Sequence, residues 1–576
     1  MLVDSVRKFL ALLLSITVWA VAPGFALRTP PLPGSGFSRG IAVAEFSQRE
    51  VPAILSWGDN TWLAWSGEVN KGRAPILRTV DHSGRLSEPK PIPLPDGLLY
   101  VGRPQLVLAR GSPWLLFLAR EATSSPRSLY ALALDPNGEP AGLALPLRPE
   151  SGVGVGSYSA VGTGNAIWAA LEDDEGWIWL FSLDVGSGKT SSWRLGPGEA
   201  PALAAGEDRI HLVWAQPAGD FYILLYAGIE EAPASPVELR RFPLGIGTIP
   251  SPPALALGAG WAYAAVGFEY RGGELAGMAE VWICAFPRGN PQRSASYSLR
   301  IPGVAPSKHS LTTAGLCLAP LPPQATIRPT NLYQPRGGPS VGEHALMTLG
   351  AKLYRRGDTQ VQPVVVAFAA GAPVAWDLIA VSRDFSYFTA LSRSEYGWHA
   401  AWLDMLGFGD YRLYYASTSE EERKALNRLG WDDVTYFLGT TASGLIGGLA
   451  FIPLFLIASV PGLVLIFFHY VLGGEESMRY RWPKLLLALS LLPYLVLKIA
   501  LAGTFGGVPF AQWLPQPAAT TAGRVIPFIP ALFGAAAMFI YLHRSTEPTV
   551  FPAWAAFVVT DLVFTIVILG PVFAGG

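Results

Sequence analysis

Two short stretches of the sequence have the spacing of a catalytic or a phosphate-binding motif. Gly36, Ser38 and Gly40 match the G-x-S-x-G pattern, which in α/β-hydrolases exposes a nucleophilic serine on a strand-to-helix turn. No apolar strand pattern precedes Ser38 and no helical pattern follows it, so we expect no nucleophile there. The GSGKT stretch at 186–190 resembles the end of a P-loop, but Leu183 occupies the position of the motif's first glycine. Neither match predicts an activity.

Metal-ligating residues do not occur at the spacing that metal sites need. The 7 histidines include no i, i+4 pair and none with a cysteine at zinc-site spacing. The acidic run 172–175 could offer carboxylates to a cation such as Ca²⁺, but a solvated turn is the expected structure. The sequence therefore predicts no cofactor and no metal, and it identifies no catalytic residue.

Lys498 and Asp561 are the ionisable residues well inside long apolar runs. A lone charge in lipid costs about 2.5–3.5 kcal/mol on the translocon scale, so such residues usually face the protein interior and pair. Measured from the same side of the membrane, Lys498 lies about 22 Å deep and Asp561 about 17 Å, at 1.5 Å per residue. We predict an interhelical ion pair. The alternative is that Lys498 extends to the nearer surface while Asp561 is neutral and bonded to a backbone or hydroxyl group.

Cys284 and Cys317 are the only cysteines. Both fall in a region that we expect outside the cytoplasm, where disulfides are permitted. They lie about 33 residues apart, in what should be neighbouring repeats, and cysteines in non-equivalent strands often lie too far apart for bonding. A disulfide is one possibility, and two buried thiols are the expected state.

The apolar runs define a membrane domain at 435–576. A hydrocarbon core of about 30 Å needs about 20 apolar residues in a helix, and four candidate spans meet or approach this length. They lie at about 438–472, 483–502, 525–542 and 550–574. The first span is overlong and contains Pro453 and Pro461, so we expect a kinked or tilted helix there, with a helical hairpin as the less favoured alternative.

Basic residues predict the orientation of these spans. Arg479, Arg481 and Lys484 follow span one and Arg544 follows span three, whereas the loop between spans two and three has only Arg524, at its far edge. The positive-inside rule therefore places the first two loops in the cytoplasm. The residues before 435 and the C-terminus then lie outside the cytoplasm. The expected membrane is the plasma membrane.

The N-terminus predicts the same location for the large domain. Residues 1–26 have the basic start, apolar core and small residues of a secretory signal peptide, with an uncleaved anchor as the alternative. A linker rich in proline and glycine follows at 27–40. After the domain at 41–418, a juxtamembrane helix is predicted within 419–434, where Ser419 and Glu422 have capping-box spacing.

The region 41–418 contains a repeat of about 50 residues. An apolar strand with tryptophan recurs at intervals of about 52, 54, 46, 47 and 141, the last being three times 47; these residues are Trp62, Trp114, Trp168, Trp214, Trp261 and Trp402. We expect two degenerate units in the long gap, around Leu316 and Leu353. Tight turns also recur, at Asp81, Asp135 and Asp184. Short strands at this period predict an all-β propeller of seven or eight blades.

Two units, at 210–229 and 398–418, resemble the blades of BNR-type, sialidase-like propellers, in which an apolar-Trp strand precedes a polar turn and a Tyr-rich strand. The resemblance implies the fold. The Asp-box S-x-D-x-G-x-x-W of that superfamily and an identifiable arginine triad are absent, so it implies no catalytic residue.

Composition limits the partners. Net charge is −1 and charged residues make up 15% of the chain, which gives no electrostatic reason to expect nucleic acid. Membrane lipid, an extracytoplasmic protein or glycan ligand, and a membrane-protein partner are expected instead. We predict a membrane-anchored propeller that works as a binding or sensing module at the cell surface; the alternatives are a glycan hydrolase or lyase, and a transporter or channel subunit.

Overall fold

Seven antiparallel sheets follow one another along the first three quarters of the chain in a computed structural model of the protein, and apolar helices follow them. The two regions form separate compact units. The structure describes residues 30–34, 36–47, 50–69, 72–149, 152–306, 311–313, 316–355, 358–407, 409–449, 451–504, 521 and 525–574. The predicted signal peptide at 1–26 lies outside these residues.

Each sheet is one propeller blade, and its strands are given from the central channel outwards. Blade 1 contains Ala53–Trp57, Asn60–Val69, Gly72–Asp81 and Lys90–Pro91; blade 2 Leu99–Ala109, Ser112–Arg120, Ser128–Ala133 and Leu145–Leu147; blade 3 Val155–Thr163, Ala166–Asp173, Trp177–Asp184 and Thr190–Pro197; blade 4 Glu199–Ala205, Ile210–Ala218, Phe221–Ile229 and Val237–Pro243. In blade 5, two short strands, Thr248–Pro250 and Ala254–Leu257, both pair with Trp261–Tyr270, and the next strands outwards are Ala279–Pro287 and Ala295–Ser298. Blade 6 contains Leu332–Gly337, Ala345–Arg355, Asp358–Ala369 and Ala372–Leu378. Blade 7 contains Phe385–Arg393, Trp398–Met405, Tyr411–Ser417 and Ile41–Phe46. Leu32–Pro33 pairs with Ala380–Val381, and short 3₁₀ turns occur at Pro291–Arg293 and Gln324–Thr326.

The second strand of each blade lies between two others and is covered on both faces, which is why its sequence is a continuous apolar run. In blade 2, residues 115–119 are at most 1% exposed. The six repeated tryptophans all lie in second strands, and Trp62, Trp214 and Trp402 are essentially buried. The repeat in the sequence therefore marked the same strand of six blades.

Apolar contacts between blades close the ring. One cluster of buried side chains lies between each pair of neighbouring blades, including blades 7 and 1, where Leu63 and Trp65 of blade 1 pack with Leu403 and Leu413 of blade 7. The prediction of a propeller with seven or eight blades is confirmed, with seven.

The long gap in the tryptophan repeat contains one blade, not two. Leu353 lies in the second strand of blade 6, as expected. The expectation of a separate unit around Leu316 is wrong, because the strands Leu316–Pro320 and Leu311–Thr313 add to the outside of blade 6, next to Ala372–Leu378. A two-stranded extension cannot bury both of its faces, so it depends on this blade for its core.

The N-terminal strand completes the last blade. Ile41–Phe46 pairs with Tyr411–Ser417 and forms the outermost strand of blade 7, so both ends of the domain contribute to one sheet. The apolar burial in this sheet therefore holds the ring closed.

The helical part begins with helix α1, Glu420–Leu426, which belongs to the propeller unit. The second unit contains α2 (Trp431–Gly448), α3 (Phe451–Val471), α4 (Arg481–Thr504), a 3₁₀ turn at Ile526–Phe528, α5 (Ile529–Arg544) and α6 (Val550–Ala574). Three segments are long and apolar enough to cross a membrane, namely Trp431–Val471, Arg481–Ala500 and Val550–Gly570, and α5 is a shorter apolar helix. The prediction of about four apolar helices is confirmed.

The overlong first span contains two helices, α2, which ends at Gly448, and α3, which begins at Phe451. Leu449, which follows α2, lies four residues before Pro453, where a proline ring clashes with a helical carbonyl and lacks the N–H that would bond to it. Both halves run antiparallel to α6. A Cβ at Gly448 would lie 3.2 Å from the Cα of Gly570, and one at Gly462 would lie 3.1 Å from the Trp554 indole nitrogen.

The loops after α3 and α5 meet at one end of this unit. Ser477 and Thr549 form an isolated antiparallel bridge, and the N–H of Met478 donates to the carbonyl of Pro548 at 2.9 Å. The loops that contain the predicted cytoplasmic basic residues therefore lie on the same side.

The capping box expected at Ser419 and Glu422 is wrong. Ser419 precedes α1, but no side chain caps the helix. The Glu422 side chain is buried and accepts a hydrogen bond from Tyr415 instead. Gly430 precedes α2, and its N–H donates to the Asp433 carboxylate at 2.7 Å.

Candidate functional site

The innermost strands begin with β-bulges that face the central channel. Four residues other than glycine have positive φ there, in blades 2, 4, 6 and 7: Arg103 (58°), Ala200 (50°), Gln334 (49°) and Phe388 (51°). Each lies at a shift in the pairing between the first and second strands of its blade. Bulges and left-handed residues of this kind cost free energy and concentrate at functional sites. The bulged starts of these strands form the channel mouth.

A repeated proline in the sequence marks the channel mouth. The residue after the bulge is proline in blades 2, 4 and 6, and the equivalent position is also proline in blades 1 and 5; these residues are Pro52, Pro104, Pro201, Pro253 and Pro335. Proline lacks an N–H, and within sheets it is tolerated at bulges and at the start of a strand. This signal was missed in the sequence, and Pro335 would have located blade 6.

Carboxylates from neighbouring strands satisfy the bulged backbone. Glu172 accepts hydrogen bonds from the N–H of Ala200 at 3.0 Å and from the Ser157 hydroxyl at 2.6 Å. Glu50 accepts from the N–H of Arg103 at 3.4 Å and forms an ion pair with Arg73 at 3.4 Å. These two glutamates therefore hold the shape of the mouth.

Arg336 differs from the other charged groups at the mouth. Its guanidinium lies 5.5 Å from the ring centroid of Phe388 and pairs with no carboxylate among the described residues. Burial, followed by the charge of Arg103, lowers the pKa of Arg336 to about 10. Two arginines thus approach each other at the mouth, and one of them has no anionic partner in the described part of the chain.

Several buried polar atoms at the mouth also lack partners among the described residues. They belong to three consecutive blades and are Glu50 Oε2, Gln334 Oε1 and Thr389 Oγ1. Buried polar groups in folded proteins are nearly always hydrogen-bonded, so a cluster of exceptions needs an explanation. The unpaired polar atoms therefore indicate that the channel mouth is a surface that could bind a ligand and is not part of the packed core.

A cleft of about 500 Å³ lies between the closing strand of blade 7 and blade 1. Val43, Trp65 and Ile76 form its apolar wall, and Arg73 and Glu68 are charged groups on its lining. Because Arg73 also pairs with Glu50, the cleft adjoins the channel mouth.

The acidic run at 172–175 is a structural turn. Asp173 is 2% exposed and accepts from the N–H groups of Glu175 and Trp177 at 3.0 and 2.9 Å, and from the Trp179 indole at 2.8 Å. Asp174 pairs with Arg127 at 2.8 Å. No group of three metal-ligating side chains occurs in the described ranges.

The serine and P-loop matches both fall in structural positions. Ser38 is fully buried, and its hydroxyl donates to the Arg39 carbonyl at 3.0 Å and accepts from the Ser417 N–H at 3.0 Å. The GSGKT stretch lies in the turn after the third strand of blade 3, where Asp184 accepts from the Ser187 N–H at 2.7 Å.

The structure brings Lys498 and Asp561 together. Lys498 Nζ donates to Asp561 Oδ1 and lies 3.4 Å from the Thr565 hydroxyl, while the Tyr494 hydroxyl donates to Asp561 Oδ2. Lys498 is 2% exposed and Asp561 is fully buried between the helices. Asp561 packs against Gly534 of α5, where a Cβ would lie 3.2 Å from the aspartate Cβ. The contribution of this pair to stability remains a prediction.

The two cysteines lie in different interfaces. Cys284 belongs to the apolar cluster between blades 4 and 5, and its sulfur lies 3.3 Å from the Ser296 hydroxyl. Cys317 is half-buried on the strand added to blade 6. Both thiols are free, because their strands belong to different sheets and face different neighbours.

No protein-family profile and no curated protein matches the chain. Polysaccharide lyase Uly1 is similar in structure at a TM-score of 0.41 and 8% identity, over 65% of this chain and 90% of the lyase. Trypanosoma rangeli sialidase matches at a TM-score of 0.34 and 9% identity, over 69% of this chain and 58% of the sialidase. The β-propeller domain of the Trilobed protease from Pyrococcus furiosus matches at 0.37 and 7% identity, over 64% of this chain and 96% of that domain. The predicted resemblance to sialidase-like propellers is found at low identity, and it concerns the fold alone.

Proposed function

We propose that this protein is a membrane-anchored, extracytoplasmic β-propeller that binds a protein or glycan ligand with a carboxylate or sulfate group at the channel mouth. The observation that carries the proposal is Arg336, a half-buried cation close to Arg103 that has no carboxylate partner in the described chain. Holding a desolvated charge without a partner is costly, and an anionic ligand would offset that cost. Phe388 supplies an apolar surface beside the charge.

The competing functions have less support. A glycan hydrolase needs two carboxyl groups on either side of the scissile bond. At the mouth, Glu172 bonds to Ser157 and Ala200, and Glu50 bonds to Arg73 and Arg103. Glu199 is a further carboxyl group there, and burial raises its pKa. A transporter subunit would need polar groups along the spans, and Lys498 and Asp561 bond to each other. Binding therefore remains the favoured function.

The orientation is tested with a cysteine at Ser477, in the loop between α3 and α4, after Cys284 and Cys317 have been replaced by serine. The basic loops lie together at one end of the membrane unit and are expected in the cytoplasm, so we expect no labelling of Ser477→Cys by an impermeant maleimide on intact cells. The matched control is Leu143→Cys, at a position 80% exposed on the propeller, which should be labelled. Equal labelling at both positions would overturn the topology.

Ligand binding is tested with Arg336→Gln in the purified full chain. The probes are uronate-bearing and sulfated oligosaccharides and an acidic peptide. A charge-assisted hydrogen bond contributes about 1.5–3 kcal/mol, so the affinity of a bound probe should fall by about 10- to 100-fold, as measured by calorimetry. Arg241→Gln is the control, since Arg241 is half-exposed on the outer strand of blade 4 and pairs with Glu238 at 3.0 Å. Unchanged affinity in Arg336→Gln, or equal loss in both variants, would contradict the proposal.

A further inference from the structure

Helix α1 lies on the propeller at the point where the chain leaves it. Leu426 belongs to the apolar cluster between blades 7 and 1, and a Cβ at Gly84 would lie 3.3 Å from the Leu426 side chain. The side-chain amide oxygen of Asn427 (Oδ1) accepts from the backbone N–H of Arg39 at 2.8 Å. The chain continues to Trp431, where α2 begins. Leu426 and Asn427 therefore anchor the C-terminal end of α1 to the propeller.

A carboxyl group lies beneath this helix. Glu422 is 3% exposed, and its Oε2 accepts from the Tyr415 hydroxyl at 2.6 Å. Its Oε1 lies 3.7 Å from His399 Nδ1. The flanking Glu420 and Glu421 are exposed, so Glu422 is the acidic side chain of α1 that faces the propeller.

A chain of hydrogen bonds links Glu422 to blade 7, and each donor in it is directed toward Glu422. Tyr415 donates its hydroxyl proton to Glu422, so its oxygen is free to accept from His399 Nδ1, which lies 2.6 Å away. With the proton on Nδ1, His399 Nε2 is an acceptor for the Ser394 hydroxyl at 2.8 Å. The network therefore fixes a neutral imidazole, and burial lowers the pKa of His399 to about 4.

The charges around Glu422 do not balance a carboxylate. The turn of blade 1 contributes Asp81, which raises the pKa of Glu422, and His82, which lowers it. Arg39 directs a guanidinium nitrogen to the Arg428 carbonyl at 3.4 Å. Burial is the largest influence and raises the pKa of Glu422 to about 7, although hydrogen bonds from the Tyr415 and Ser417 side chains lower it.

The same histidine and tyrosine occur in blade 4 without the carboxyl group. His211 Nδ1 and the Tyr226 hydroxyl lie 2.8 Å apart, at the strand positions equivalent to His399 and Tyr415. No acidic residue of a following helix approaches them, and Gly206 replaces Ser394. A blade of this type therefore forms without a buried glutamate. The glutamate is added in the blade from which the chain departs.

We propose that α1 docks on the propeller in a proton-dependent manner: protonated Glu422 holds the helix in place, and loss of its proton favours release. When α1 is docked, a carboxylate would be buried close to Asp81 with hydroxyl groups as its hydrogen-bond donors, whereas in the released helix it would be hydrated. The docked state thus binds a proton that the released state gives up between about pH 4.5, the ordinary value for glutamate, and about pH 7. Docking is strongest below this interval, weakens through it and is constant above it. The inference does not depend on a ligand at the channel mouth.

Hydrogen exchange of the full chain in detergent micelles tests the proposal. Amides of residues 422–428 are followed by mass spectrometry between pH 5 and 8, with correction for intrinsic exchange. In the wild type, we expect their protection to fall by up to about tenfold for each pH unit between pH 5 and 7 and to level off above. Glu422→Gln has the shape of the protonated acid and cannot ionise, so its protection should stay high and independent of pH.

Glu421→Gln is the matched control, because this side chain is exposed on the same helix, and it should keep the wild-type pH profile. The strands of blade 4 provide an internal reference and should show no change in the same pH range. A wild-type profile that is flat in pH would overturn the proposal. Equal pH dependence in Glu422→Gln and the wild type would overturn it as well.

Discussion

Asp561→Leu alone is expected to lower the free energy of unfolding of the membrane unit by about 3–5 kcal/mol, because it leaves the buried Lys498 ammonium without its counter-ion. Lys498→Met should have a comparable effect for the converse reason. The double variant replaces both charges with apolar groups and should recover much of the loss. Unfolding in detergent, followed by helical circular dichroism in a denaturant titration, measures all four proteins.

Ser459→Ala is the control for this cycle. Ser459 is 2% exposed, but its hydroxyl bonds within its own helix, to the Phe455 carbonyl at 2.7 Å, so its removal should change stability little. Losses that simply add in the double variant would show that Lys498 and Asp561 do not depend on each other. The alternative in which Lys498 reaches the membrane surface would then be favoured.

Gly162→Ala should destabilise the propeller by about 3 kcal/mol or more, at or above the upper end of ordinary overpacking. Gly162 lies in the innermost strand of blade 3, where a Cβ would stand 1.9 Å from the carbonyl oxygen of Leu108 in blade 2. The obstacle is backbone, so the two inner strands have to separate. Near-ultraviolet circular dichroism of the full chain during heating reports the loss of the packed tryptophans.

Gly196→Ala provides the matched control in the same blade. An added Cβ there meets no atom within 4 Å, and the residue does not have left-handed φ, so we expect a Tm close to that of the wild type. Gly337→Ala should behave like Gly162→Ala, because its Cβ would stand 1.8 Å from the Leu255 carbonyl oxygen across blades 5 and 6. Equal Tm values for Gly162→Ala and Gly196→Ala would refute the close approach of the inner strands.

The sequence predicted a feature correctly where the type of a residue indicates its environment, whichever residues are its neighbours. Trp62, Trp214 and Trp402 recur because the second strand of a blade is enclosed on both faces, and this requirement repeats with the blade. Lys498 and Asp561 stand out because few ionisable residues occur in apolar helices. Both patterns can be read without knowing which strands or helices are neighbours.

The channel mouth could not be predicted because its geometry joins residues from different blades. Arg336 and Arg103 lie more than 200 positions apart, and neither has an unusual local sequence. Glu422 was predicted to cap its own helix, since spacing describes local partners, whereas a buried tyrosine of blade 7 is the actual partner. Leu316 misled the blade count because an apolar hairpin added to a sheet has the same composition as a short blade.

The strand that closes blade 7 affects how the propeller folds during translation. Ile41 pairs with Tyr415, which the ribosome reaches 374 residues later, or about 20–75 s at about 5–20 residues per second. Blades 1 to 6 can form on the growing chain during this time, while the first strand waits without a partner. A nascent chain released early would expose the unpaired edges of an open ring, and such edges promote aggregation. Pairing of Tyr411–Ser417 with Ile41–Phe46 is therefore the step that removes these open edges.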